Sequence, residues 1–505
     1  MKKNTFFLSV LLGMCMLISM PTMAQTKIVK MTTKKTVGSS MSFLVNHNNK
    51  GVTVDWGDGN PVAYKTNKEE GICSIDGVVK GATITVSGEA NWDMLSCKGC
   101  ELTVIDLSDA KELRSLYCQN NELKTLDLKG MTKLVDLNCA NNQISSLNFT
   151  DRNNAQKDLA AIENLNISNN QLTGQYYMKL NTLQHLDLSN NLYKSCYVYD
   201  PQLTSFDCSG NNLSGSMNLS KCTKLSSIVC KDNALKSLTL ANSGENAYQI
   251  LCDNNQIQKL DLANAREIVD LSCSNNGVKD FTMNEYAHFY LLNLSGNNLA
   301  FNALPAKNRE PKYLSFLPQE PFNISHAEGL LTKDGVPYAP VCSNWSEIKN
   351  NTIFLNKYCS LVSGRIDAEY KWVSIDDNGN ETTLIQRRNS REEGDYYASR
   401  GNFAFFTPHK RAYLEIKSKS YGFVVRSMPI AIGDDITAVE SIINNDSKLH
   451  VDVVNGDLLL DAKKATIVNI YTIEGKNVWQ NVVSGPTTVN LPKGVYIVNG
   501  KKVIL

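Results

Sequence analysis

At 505 residues the chain is too long for one ordinary compact core, so several domains or one extended array are expected. Its 51 basic and 50 acidic side chains nearly cancel, which excludes a nucleic-acid or anionic-membrane surface held by bulk charge. Beyond the amino-terminal run no stretch is apolar enough for a membrane span.

Lys2 and Lys3 precede an apolar run from Phe6 to Ile18, followed by Pro21 and the small-residue pattern Thr22-Met23-Ala24. That order predicts a secretory signal peptide over 1–24, cut before Gln25. Cys15 follows Leu12-Gly13-Met14, a poor lipobox, so no lipid anchor is expected. The mature chain is therefore expected to be exported, at the cell surface or extracellular.

Residues 25–91 alternate like strands ("SFLVNH", "GVTVDWGDG", "ATITVSG") between Gly, Asn and Asp turn signals. The phrase Val54-Asp55-Trp56-Gly57-Asp58-Gly59 resembles the turn of PKD-like β-sandwich modules. Its two aspartates could bind calcium, or serve only as Asp-Gly turn chemistry in a tight hairpin. Either way the segment is expected to cap the open end of the core formed by residues 92–304.

From 92 to 304 one phrase recurs, L-x-x-L-x-C-x-x-N-x-L, with apolar residues at positions 1, 4, 6 and 11. Its ten copies begin at Trp92, Leu113, Leu134, Ile162, Leu183, Leu203, Leu225, Ala247, Ile268 and Phe289, and one insertion, Asp151 to Ala161, disturbs the period. Position 9 holds Cys100 in the first copy and then Asn121, Asn142, Asn170, Asn191, Asn211, Asn233, Asn255, Asn276 and Asn297. An amide carries both donors and acceptors, so this column is expected to satisfy backbone groups that the coil withdraws from water.

Position 6 holds Cys97, Cys118, Cys139, Cys208, Cys230, Cys252 and Cys273, and Ile167, Leu188 or Leu294 elsewhere. Interchange with Leu and Ile marks an apolar interior slot, where a thiol acts as a small hydrophobe. A straight row of thiols at a strand spacing of roughly 4.8 Å does not gather four sulfurs around one zinc ion, so no metal and no cofactor are expected. Bridges between neighbouring cysteines remain an alternative, although parallel Cβ vectors lie farther apart than a disulfide prefers. Cys97-Lys98-Gly99-Cys100 has redox or metal spacing but fits the repeat, with Cys100 in the Asn slot and open to reaction if partly exposed.

The phrase resembles the leucine-rich repeat family. That resemblance implies a mainly β fold, a leucine-rich repeat solenoid with strands over positions 3 to 7 forming a parallel sheet on the concave face, flanked by β-sandwich modules. Second apolar phrases such as Leu126/Leu128, Leu147/Phe149, Leu238/Leu240 and Leu260/Leu262 imply an outer wall of extended chain rather than long helix.

Past Leu304 the period stops, and Pro305, Pro311, Pro318 and Pro321 read as a linker, 305–322. Short strand-like runs fill 323–433, where Cys359 followed by Trp372 resembles the strand B cysteine and strand C tryptophan of the immunoglobulin-like sandwich, and Tyr413 its corner tyrosine. Glu415 stands where that family has its second cysteine, so the inter-sheet disulfide has no partner; a Cys342 to Cys359 bridge is left open. Within 434–505, Ile470-Tyr471 before Glu474-Gly475-Lys476, then Gly494-Val495-Tyr496-Ile497-Val498, are similar to the carboxy-terminal sorting domain of the type IX secretion system of Bacteroidota. This resemblance implies the type IX secretion machinery as a partner, while the same residues read alone give a small β module with a Pro-Lys-Gly turn.

Six scattered histidines and the absence of phosphate-loop, nucleophile-elbow or H-E-x-x-H motifs point away from an enzyme. Strand alternation turns positions 3, 5 and 7 outward. The candidate binding face is therefore Tyr117, Asp136, Asn138, Asn166, His185, Asp187, Asp207, Lys231, Asp253 and Asp270, mildly acidic and on the order of 45 Å long. Adhesin-like binding of a protein or glycan ligand is the expectation. The alternative is carbohydrate-associated binding through 323–433, with the repeats as spacer.

Overall fold

A computed structural model describes residues 26–434 except 49, 68, 70, 90, 151–154, 242–247 and 264–267, together with the strands of 449–504 without their connections at 455–456, 463–465, 473–476, 484–486 and 499–500. The expected leader and the Glu474-Gly475-Lys476 turn lie outside the described residues. The chain divides into two compact units, one of the described residues up to Leu172 with Met178–Leu183, the other of Thr173–Tyr177 and the chain from Gln184 on.

In the first unit, alternation sets the amino-terminal module. Met41, Phe43 and Val45 of the strand Ser40–Asn46 are buried while Ser40, Ser42 and Leu44 face out. Lys27–Thr33, Val52–Asp55, Val62–Tyr64, Thr83–Gly88 and Leu102–Asp106 form one sheet, and Ser40–Asn46 pairs with Cys73–Val78 in another. Buried Val29, Met31, Val54, Trp56, Ile75, Ile84 and Val86 supply the apolar core of this module. Ser40–Asn46 also pairs antiparallel with Met94–Ser96, the first repeat strand, so the module covers the open edge of the repeat sheet. From there Met94–Ser96, Ser115–Tyr117, Asp136–Asn138 and Asn164–Asn166 run parallel and in register, stacking Leu95, Leu116, Leu137 and Leu165.

The second unit continues the pattern with His185–Asp187, Ser205–Asp207, Ser227–Val229, Tyr248–Leu251, Ile268–Ser272 and Leu291–Asn293. Its outer wall is extended chain, a parallel sheet of Ser214–Leu219, Ala234–Leu240, Lys259–Leu262 and Asp280–Met283. Most inner strands span positions 3 to 5 and not 3 to 7, because position 8 turns the backbone left-handed. Asn120, Asn141, Asn169, Asn190, Asp232, Asn254 and Asn275 have φ between 53° and 59°, and Gly99, Gly210 and Gly296 between 63° and 68°. Gly, Asn and Asp are the residues that enter this region at least cost.

Residues 305–322 are not a linker. Tyr313–Ser315 pairs parallel with Leu291–Asn293, and Leu314 and Phe316 occupy positions 4 and 6 of an eleventh turn. Gln319 takes the Asn slot, its Oε1 accepting the Leu299 N–H at 2.9 Å and its Nε2 donating to the Leu294 carbonyl at 2.8 Å. The prolines hid the turn because they replace the leucines at positions 1 and 11.

Beyond it, two sheets stack. One runs Leu331–Lys333, Val336–Ala339, Ile430–Ile432, His409–Ser418, Ala368–Ile375 and Glu381–Thr383; the other runs Ile353–Phe354, Asn402–Phe405, Tyr396–Ser399 and Gln386–Arg387. Trp372 is buried, its ring edge-on to Phe403 at 5.7 Å and Phe405 at 4.9 Å. Cys359, expected on a strand, lies in the helical turn Asn356–Cys359, and both it and Cys342 are free thiols. Tyr413 sits within the long strand His409–Ser418 beneath Arg426, not at a corner. At the carboxy terminus, sheets of three and four antiparallel strands supply a core of Leu458, Leu460, Val468, Ile470, Val483, Val489, Tyr496 and Val498.

Candidate binding surface

The position-9 amides share one bonding pattern. Asn142 accepts the Leu123 N–H on its Oδ1 at 2.9 Å, and its Nδ2 donates to the carbonyls of Cys118, Cys139 and Ala140 at 3.0 to 3.3 Å. Asn121, Asn170, Asn211, Asn233, Asn255, Asn276 and Asn297 repeat it, each joining its own turn to the one before. Asn191 donates to Leu188 and Ser189 of its own turn.

The position-6 thiols Cys97, Cys118, Cys139, Cys208, Cys230, Cys252 and Cys273 are all buried and unbridged. Burial pushes the thiols of Cys118 and Cys230 well above the ordinary range and that of Cys139 to about 12, which withholds the reactive thiolate. Cys100, open to reaction only if partly exposed, does not meet that condition. It is buried, with its pKa raised to about 11 by desolvation, and its Sγ lies 3.4 Å from the Ser42 carbonyl.

Much of the polarity on the sheet face is bonded within the sheet. Asp136 accepts from the Ser115 hydroxyl at 3.1 Å and the Asn164 amide at 2.6 Å, and Asp270 accepts from Gln249 at 3.2 Å. Asn138 Oδ1 accepts the Ala140 N–H, and Asn166, Asp187 and Asp207 accept both the N–H and the hydroxyl of the serine two residues on. Burial nevertheless raises the Asp207 pKa, against the lowering effect of Ser209. His185 is exposed and Tyr117 half-buried.

Two expectations are corrected. Asp253 is only 7 % exposed and is withdrawn from the accessible face: it accepts from Ser272 and Ser274 and pairs with Lys231 at 3.1 Å. Its burial works to raise the pKa, but these donors outweigh it and hold the carboxyl below the usual range. Position 7 does not face outward throughout, since Ala140, Ser168, Ser189 and Ser274 are buried where the chain turns.

An aromatic cluster outside the face expected from the repeat phrase lies where the sheet ends. Tyr290 and Tyr313 meet edge to face at 5.2 Å, 46 % and 51 % exposed, with Lys312 Nζ 5.0 and 5.4 Å from the two ring centres. Tyr286, four residues before Tyr290 in the chain, lies under Arg309 at 5.0 Å. Tyr313 occupies position 3 of the eleventh turn, so recognising Leu314, Phe316 and Gln319 as a degenerate repeat would have placed it on the sheet.

The fold is a leucine-rich repeat solenoid of about ten turns. Residues 111–151 match the family described as leucine-rich repeats in two copies. Among solved structures the chain is similar to YopM, a leucine-rich effector protein from Yersinia pestis, at 22 % identity over 46 % of this chain with a TM-score of 0.35, and it spans 62 % of that chain. It is also similar to the functional domain of InlJ from Listeria monocytogenes, which includes a cysteine ladder, at 16 % identity over 70 % of this chain and 94 % of that one, with a TM-score of 0.25. No curated protein matches the sequence.

Proposed function

We propose that this is a non-enzymatic binding protein of adhesin type, exported and displayed at the cell surface or released, whose repeat sheet engages a protein or glycan ligand. The observation that carries the reading is the exposed Tyr290–Tyr313 pair under Lys312 at the end of the sheet. Exposed tyrosines held rigid by their neighbours give large contact area at small entropic cost, and Tyr and Arg are enriched at binding hot spots.

Export is supported by the leader pattern at 1–24. The type IX sorting reading of 434–505 is supported by the order of its motifs and by the buried Ile470, Tyr496 and Val498 in one apolar core. A PKD-like cap is supported by the 54–59 turn, where Asp55 Oδ1 accepts the N–H groups of Gly57, Asp58 and Gly59 at 2.8 to 3.1 Å while Asp58 pairs with Lys80. Those partners favour turn chemistry over calcium. The buried Trp372 supports an immunoglobulin-like sandwich.

The test applies the full chain to a panel of extracellular-matrix proteins and purified glycans. The double variant Tyr290→Ala/Tyr313→Ala should lose at least tenfold in affinity for whichever probe the native chain binds through the repeat sheet. Unchanged affinity for every bound probe sinks the sheet-end reading. A second reading, carbohydrate-associated binding in which 323–433 carries the ligand, is favoured by a cationic groove shared by that sandwich and the last repeats.

A further inference from the structure

We propose that this groove is a binding site for an acidic oligosaccharide, one bearing carboxylate or sulfate groups on a short run of sugar rings. The proposal deepens the carbohydrate reading and rests on it, but not on the sheet-end reading. The groove has a volume of about 600 Å³, within the range of small-ligand sites. Its wall carries Lys259 from the outer sheet of the repeats, Lys279 just before that sheet's strand Asp280–Met283, Asn302 from the turn after the tenth repeat, and His326, Lys357 and Tyr358 from the sandwich.

The charge is concentrated against the balance of the chain. Three lysines converge on the groove, and none is within ion-pairing distance of a carboxylate among the described residues. Asp280 is the one carboxylate in the wall. Asp261 feels Lys259 at a distance, but its hydrogen bonds come from the Thr282 hydroxyl and the Ala263 N–H. By contrast Lys231, Lys307 and Lys371 each sit 2.6 to 3.1 Å from a carboxylate. Three cations against the one carboxylate of Asp280 in a concave surface leave a net positive potential focused into it, which concentrates anions.

The remaining lining favours sugar over peptide. Tyr358 stacks on Phe322 at 5.2 Å and lies under Lys357 Nζ at 4.7 Å, so the ring fixes the lysine and its hydroxyl has no partner among the described residues. Asn302 and Asn323 present amides, which pair a donor with an acceptor as adjacent sugar hydroxyls require. The wall's phenylalanines, Phe281 and Phe322, are themselves buried, so neither ring is open to a peptide anchor side chain.

The test is calorimetric titration of the full chain with a heparin hexasaccharide, an oligogalacturonate and a neutral chitohexaose, repeated with Lys259→Gln/Lys279→Gln/Lys357→Gln. The three lysines are exposed, so the triple variant should keep its unfolding midpoint. Binding of either acidic oligosaccharide, at least tenfold weaker in the triple variant and weaker at higher salt, with little binding of chitohexaose, supports the site; which probe binds separates sulfate from carboxylate recognition. Acidic saccharides that fail to bind, or bind the triple variant equally well, overturn it. A short poly-glutamate that binds as tightly and loses as much overturns the saccharide assignment. Neutral chitohexaose bound while both acidic probes are refused leaves the carbohydrate reading standing and removes this inference, and Tyr290→Ala/Tyr313→Ala should leave acidic-saccharide binding unchanged.

Discussion

The turn side and the sheet side of each repeat are both polar, in opposite ways. On the turn side position 9 is the same amide copy after copy, and its partners are backbone groups two strands share. On the sheet side position 3 changes from Ser115 to Asp136, Asn164 and His185, and its bonds run to side chains of neighbouring strands, Asp136 accepting from Ser115 and Asn164. A residue that answers to backbone meets the same surroundings at each turn and has one best solution. A residue that answers to neighbours or a ligand has many, so regularity along the chain marks architecture and its loss marks the surface free to recognise something.

The largest loss of stability is expected at the amides of the turn side. Asn211→Ala would strand the Tyr193 N–H and leave the carbonyls of Leu188, Cys208 and Ser209 without that donor. At roughly 1 to 3 kcal/mol per stranded buried group, a total near 3 kcal/mol is expected, read as a fall in the urea midpoint. Because repeats lean on their neighbours, hydrogen exchange should accelerate most in the adjoining turns. A loss below about 0.5 kcal/mol would remove the amide column from the account.

The thiol column should give the next largest effect. Cys230 is fully buried among apolar side chains, so the near-isosteric Cys230→Ser should cost about 2 kcal/mol and exceed Cys230→Ala, because a hydroxyl is harder to desolvate than a methyl. A bridged or metal-bound sulfur would make the two substitutions equally damaging. In native protein Cys230 should resist alkylation, since burial raises its pKa far above neutrality.

These same columns are what the sequence made legible. Leu116, Leu137 and Leu165 stack because each is the fourth letter of the same phrase, and periodicity shows that without coordinates. The position-8 column was equally available, in the Asn that precedes Asn121, Asn142, Asn170 and Asn191, but it does not alternate with Leu and so escaped a pattern built on apolar letters. The eleventh turn was lost because Pro311 and Pro321 stand where leucine normally signals the frame. Asp253 was misplaced for another reason. Alternation fixes a direction at each strand position, whereas burial at position 7 depends on how sharply the chain turns there.

Asp253 makes a smaller, pH-dependent test. Its carboxyl is held below the usual range by its donors, so the folded state binds that proton less readily than the unfolded state does. The stability it contributes is thus present above about pH 4 and lost as pH falls through the folded-state value. Asp253→Asn should cost about 1 kcal/mol at pH 7, given a half-exposed Lys231, and the gap between native and variant should close below pH 4. A gap that does not narrow as pH falls through the acid range would show that the ionised Asp253 carboxylate, with its serine donors and Lys231, adds nothing to stability.

The smallest effect on stability is expected where the effect on binding is largest. Tyr290 and Tyr313 share their edge-to-face geometry with Tyr176 and Tyr193, at 5.2 against 5.9 Å. Tyr176 and Tyr193 are 1 % and 5 % exposed and belong to the core, while the other pair is about half exposed. Tyr290→Ala/Tyr313→Ala should shift the unfolding free energy by about 0.5 to 1 kcal/mol, the worth of one exposed aromatic contact, while removing most affinity for a sheet-bound ligand. If the double variant unfolds as readily as Asn211→Ala, the tyrosines are holding the last turn in place, and recognition must be sought elsewhere on the sheet.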